Sequence, residues 1–159
     1  MAMETLAAAR TAFAARRWAD AHDRFLAARQ EAPLDADDLS ALSQASWWLG
    51  LMDESLAAGE EAYKLYLEAS NNCRAAYRAF DVAYGYFLKG NEAIGSGWLG
   101  RAQRLLADQS DCPEQGYLLY FAVETSLDGG EETMGKARQV QAFGRRNGDR
   151  NLVAAGIVS

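Results

Sequence analysis

An apolar helix, a glycine or polar bend, and a second apolar helix follow one another along this chain at a nearly constant interval, and few folds accommodate that pattern. In Ala45-Ser-Trp-Trp-Leu-Gly-Leu-Met-Asp-Glu-Ser55 a helix arrives through Ala41, Leu42, Ala45, Trp48 and Leu49 and stops at Gly50. It restarts at Asp53-Glu54, where carboxylates favour a helix N-terminus. Laying Arg16 on Gly50 puts Ala21 on Ser55 and Ala28 on Ala62, a shift of 34 residues. Laying Gly50 on Gly90, and Gly90 on Gly130, gives a shift of 40 twice. Small residues then recur where helices must approach closely: Ala21, Ser55, Gly95 and Gly135, followed by Ala28, Ala62, Ala102 and Ala142. Such internal repetition predicts an all-α array of antiparallel helix pairs in a single domain over residues 1–159.

The first pair is expected over residues 3–15 and 18–31, closed by Pro33, and the second from Asp37 to Leu49 and Asp53 to Ala69. The third carries Ala76, Phe80, Ala83, Tyr84 and Phe87 before a bend at Lys89-Gly-Asn91, then Ile94, Trp98, Ala102 and Leu105. The fourth runs from Glu114 to Leu127, bends at Asp128-Gly-Gly130 and returns through Met134, Ala137 and Phe143 to Gly148. A ninth helix is expected from Asp149 through Leu152, Val153, Ile157 and Val158.

Charge and composition remove several function classes. A formal net charge of −6 argues against binding a phosphate backbone, which needs a basic face, so no direct nucleic-acid contact is expected. No run of about 18 apolar residues appears, so no membrane span is expected. Cys73 and Cys112 lack CxxC spacing and His22 is the one histidine, which is too few ligands for a Cys/His zinc site and leaves no cofactor implied. Reduced thiols in a cytoplasmic setting are the default, with a disulfide as the alternative, and the excess of arginine and alanine over lysine points to a GC-rich bacterial genome.

Two glycine motifs spell nucleotide-binding signatures. Gly95-Ser-Gly-Trp-Leu-Gly100 matches GxGxxG but falls inside a helical pattern with no strand before it. Gly130-Glu-Glu-Thr-Met-Gly-Lys136 matches GxxxxGK, yet Ala137 supplies no hydroxyl for magnesium and Glu131 and Glu132 would repel phosphate. His22 beside Asp23 reads as a solvated surface histidine. Glu60-Glu61 and Glu131-Glu132 diverge by about 100° on a helix and make no acid/base pair. Arg138, Arg145, Arg146 and Arg150 collect near a helix end, where cations belong. No catalytic residue and no metal ligand is expected, and a nucleotide-dependent enzyme ranks last among the readings.

The 34-residue helix-turn-helix period, the small residues at those offsets and the closing Pro33 resemble the tetratricopeptide repeat. Gly59 and Gln139 stand where Phe25 supplies a bulky residue, and Ser46 stands where an aromatic is usual. The resemblance implies a right-handed superhelix of four helix pairs plus the ninth helix, with the first helix of each pair lining a concave groove. Ser46-Trp-Trp-Leu-Gly, Glu60-Glu-Ala-Tyr-Lys-Leu-Tyr66 and Gly97-Trp-Leu-Gly-Arg-Ala-Gln-Arg-Leu-Leu106 also resemble the repeat region of actinobacterial LuxR-type helix-turn-helix transcription regulators. A DNA-binding domain follows the repeats in that family and is absent from this sequence.

Aromatic residues fall mostly on the first helices. Trp48, Phe87 and Phe121 read as core, whereas Phe13, Trp47, Tyr77, Phe80, Tyr84, Tyr117 and Tyr120 are expected in the groove, with Arg10, Gln44, Asp81 and Glu124 beside them. The cationic places of a carboxylate-clamping repeat domain read as Leu6, Ala41 and Tyr77 here, so a carboxylate clamp is not expected. The expected activity is binding of a protein or peptide partner, or a small apolar ligand, as the sensing part of a LuxR-type regulator; a free-standing adaptor is the alternative. The apolar ninth helix, through Val153 and Ile157, would allow self-association.

Overall fold

The computed structural model describes residues 2–107, 109, 112–124, 131–151 and 153–154. The described elements are α1 (Ala2–Ala14), α2 (Trp18–Glu31), α3 (Ala36–Trp48), α4 (Met52–Glu68), α5 (Asn72–Leu88), α6 (Glu92–Ala107), α7 (Gln115–Glu124) and α8 (Glu131–Asn147). No strand occurs among the described residues. The expected bend at Asp128-Gly-Gly130 lies outside them. Past α8, Arg150, Asn151, Val153 and Ala154 are helical, while Leu152, Ile157 and Val158 of the expected ninth helix lie outside the described residues. The chain divides into two compact units, Met1–Ala102 and Gln103–Ser159.

Five of the described helix ends are built the same way. Arg16, Gly50, Ser70, Gly90 and Gly148 all have left-handed backbone, with φ between 56° and 76°. In each, the next N–H reaches back to the carbonyl five residues before it: Arg17 to Ala12 (2.9 Å), Leu51 to Ser46 (2.9 Å), Asn71 to Tyr66 (2.8 Å), Asn91 to Tyr86 (2.9 Å) and Asp149 to Gly144 (2.8 Å). This is the Schellman closure, which satisfies carbonyls that a helix end leaves open. The residue after the left-handed position starts the next helix, and the Asn71 side chain accepts from the Arg74 N–H at 3.2 Å. Arg16 holds this conformation without glycine's freedom. Arg16→Gly is therefore expected to raise stability by roughly 0.5–1 kcal/mol in a urea titration; an unchanged midpoint would mean that Arg16 is not strained.

Within the first unit the repeat shows in burial. Ala21, His22, Phe25 and Ala28 on α2 correspond to Ser55, Leu56, Gly59 and Ala62 on α4, 34 residues on, and all are buried. Ser55, Ala58 and Ala62 correspond to Gly95, Trp98 and Ala102, 40 residues on, and these are buried too. The small residues mark close approach: a Cβ on Gly95 would stand 2.7 Å from the Phe87 ring and 3.1 Å from the Ala83 carbonyl. Ser43 and Ser55 exchange hydroxyl-to-carbonyl hydrogen bonds of 2.8 Å across the α3–α4 pair.

The second unit departs from the expected register. Gly135 has open space around it and Ala142 is exposed. The buried face of α8 is Ala137, Val140 and Gly144, each 42 residues beyond Gly95, Trp98 and Ala102. A two-residue difference in spacing turns a helix by about 160° relative to the 40-residue overlay, so the overlay selected the wrong side of α8. Val140 is fully buried, and Tyr117 and Tyr120 of α7 pack against it with Ala137 and Phe143.

Candidate functional site

The first helices of the first unit lie side by side. Arg10 on α1 makes a two-pronged contact with the buried carboxylate of Asp38 on α3, Nε and Nη2 each at 2.7 Å, and a longer one of 3.3 Å to Asp35. Arg74 on α5 donates to Asp37 on α3 at 3.2 Å. The Trp47 and Tyr84 rings meet between α3 and α5 at 5.8 Å. Between these helices is an open cleft of about 190 Å³, lined by Phe13, Asp37, Ser40, Ala41, Gln44, Tyr66, Arg74, Tyr77 and Arg78.

Two guanidinium groups define its chemistry. Arg78 is 6% exposed and its plane stands 5.1 Å from the centre of the Tyr77 ring. It is ion-paired through Nη2 to Asp81, its one hydrogen-bond acceptor among the described residues. A guanidinium carries five N–H donors, so Arg78 keeps donors for an acceptor entering the cleft. Arg74 lies 5.8 Å from the Tyr66 ring at the rim and is half exposed. The Tyr66 hydroxyl donates to Asp37 at 2.5 Å; burial, and then that hydrogen bond, raise its pKa and keep it a donor. A cleft of this size, walled by the Phe13, Tyr66 and Tyr77 rings together with polar and charged side chains, suits one inserted side chain with an acceptor, since sites for drug-sized molecules occupy about 300–1,000 Å³.

Of the residues expected in the groove, Phe13, Gln44 and Tyr77 line the cleft, Asp81 is ion-paired to Arg78 of the lining, and Arg10 is paired with Asp38 and does not line it. Trp47 is half-buried against Tyr84, which is 42% exposed, and Phe80 is half-buried on α5. Tyr117 and Tyr120 belong to the second unit, in the cluster with Val140, and the Tyr117 hydroxyl donates to Asp149 at 2.8 Å. The Glu124 and Phe121 side chains lie outside the described residues.

Two side-chain placements are corrected. Trp48 is not core: it is 60% exposed and stacked on Trp18 at 6.0 Å. It stands four, seven and eleven residues after Gln44, Ala41 and Asp37, on the cleft side of α3. His22 is buried rather than solvated. Arg74 and Arg78, which also line the cleft, were not among the residues expected in the groove; their i, i+4 spacing around Tyr77 was the available signal.

The glycine motif at 95–100 lies wholly within α6, and Glu131 to Lys136 form the first turns of α8. The adjacent acids act as separate ties: Glu60 accepts from Tyr86 at 2.8 Å and Glu61 from Arg29 at 2.5 Å. The reduced default for the cysteines is also corrected, since neither Cys73 nor Cys112 is a free thiol. No helix among the described residues is long and apolar enough to cross a membrane. No protein-family model matches the chain, and no curated protein or solved structure matches it.

Proposed function

We propose that this chain is a non-catalytic helical-repeat module of the tetratricopeptide type that binds a peptide segment of a protein partner along its first helices. The observation that carries the reading is the cleft between α1, α3 and α5, where the buried Arg78 keeps donors for an incoming acceptor beside the Tyr77 and Phe13 rings. Its volume of about 190 Å³ favours a single anchoring side chain over a flat small molecule. Exposed Tyr84 and Trp48 extend the aromatic surface beyond the cleft. Aromatic anchors of this kind dominate binding energy at peptide and protein interfaces.

The test is selection from a displayed peptide library, followed by affinity measurement with fluorescein-labelled peptides. Tyr77→Ala is expected to weaken the selected peptide at least about tenfold with the circular dichroism spectrum unchanged. A library that yields no binder, or binders indifferent to Tyr77→Ala, would refute the cleft as the site. The resemblance of residues 46–50, 60–66 and 97–106 to LuxR-type regulators supports placing the module as the sensing part of such a protein. Immunoblotting of source cells tests that placement, because a native product near 17.4 kDa leaves the adaptor reading instead.

A further inference from the structure

His22 of α2 is the chain's single histidine, and both of its ring nitrogens face carboxylates. Nε2 is 2.8 Å from Glu54 on α4, and Nδ1 is 3.2 Å from Asp23 on its own helix. A neutral imidazole has one N–H, so it donates to one carboxylate and presents a lone pair to the other. Only the imidazolium donates to both, and the contact with Glu54 joins the first hairpin to the second. We infer that His22 is a proton-operated latch between the first two hairpins, closed on Glu54 as the imidazolium and slackened when the proton leaves.

The environment is consistent with that role. Burial favours the neutral ring, but the hydrogen bonds to Glu54 and Asp23 outweigh it and the net shift is upward. Asp23 from α2 and Glu54 from α4 are the facing charged groups; none from α1 or α3 acts on the ring. With the folded pKa raised, the latch contributes fully below the unfolded value of about 6.5. That contribution is lost as pH rises through the folded pKa. Other ties also join the hairpins, among them Arg29 to Glu61, Arg10 to Asp38 and the Trp18–Trp48 stack, so release loosens the first hairpin without freeing it. Phe13 is the first hairpin's contribution to the cleft, so loosening would open that wall. This consequence rests on the peptide-binding reading, whereas the latch itself does not.

A single histidine gives one imidazole ring, whose Hε1 resonance can be followed by NMR from pH 5 to 9 on the full chain. The expected midpoint lies above about 6.5 and moves down in Glu54→Gln, a substitution at a half-exposed position. Amide-exchange protection of α2 relative to α3 is expected to fall across the same pH interval, and to be insensitive to pH there in His22→Gln. A midpoint at or below about 6.5, a midpoint unmoved by Glu54→Gln, or pH-independent protection in the wild type would each overturn the latch. Failure to find any peptide ligand would remove the peptide reading alone, because neither NMR measurement depends on one.

Discussion

Phe25→Ala is expected to lower the free energy of unfolding by about 3–5 kcal/mol. The Phe25 side chain is fully buried on α2 and meets the Phe13 ring edge-on at 6.4 Å. Truncation removes its transfer energy and leaves a cavity between α1 and α2 that small neighbours such as Ala9, Ala12 and Ala21 cannot fill. The second hairpin shows how the same place can be filled otherwise. There Gly59 occupies the corresponding position, and a Cβ on it would stand 3.0 Å from Val82 of α5. Because Phe13 also walls the cleft, the loss should extend to peptide affinity. Urea unfolding followed by far-ultraviolet circular dichroism measures the first effect; a loss below about 1 kcal/mol would mean that α1 and α2 collapse onto the gap.

Arg10→Met is expected to cost about 2–3 kcal/mol, less than the roughly 3–5 for breaking a fully buried pair, because the arginine is half exposed. The penalty comes mainly from Asp38, whose side chain is 3% exposed and would be left as a buried carboxylate without its guanidinium. The double substitution Arg10→Met with Asp38→Asn should recover much of the loss, since no charge is then stranded. Equal unfolding midpoints for the single and double variants would argue that the pair itself, rather than the stranded charge, carries the energy.

The positions of the bends were legible because each is encoded within a few residues. Gly50 and Gly90 take the left-handed backbone that closes a helix, and Arg16 aligns with them in both sequence and conformation. The small residues of α2, α4 and α6 were legible for a related reason, because side chains as small as those of Ala21, Ser55 and Gly95 permit close packing of helices. Three lining residues of the cleft, Phe13, Gln44 and Tyr77, could also be found from the clustering of aromatics on first helices. The same reasoning misplaced Trp48, since two adjacent tryptophans near a helix end do not declare which one faces the core.

The sequence by itself determined the helices, their pairing and the spacing of the first three pairs, because helix periodicity and Schellman closure are local and survive without knowledge of distant neighbours. Tertiary packing decided what each charged side chain means. His22 was assigned to water until Glu54, 32 residues away, supplied the carboxylate that makes its burial tolerable. Arg78 reads as an ordinary helix-surface cation until α1 and α3 enclose it and leave its open donors facing a cleft. On α8 the apolar spacing had named Ala137 and Phe143, whereas the 40-residue overlay had chosen Gly135 and Ala142; packing on Tyr117 and Tyr120 decided between them. Desolvation and pairing depend on atoms that come from other turns of the array, and no spacing along one helix records them.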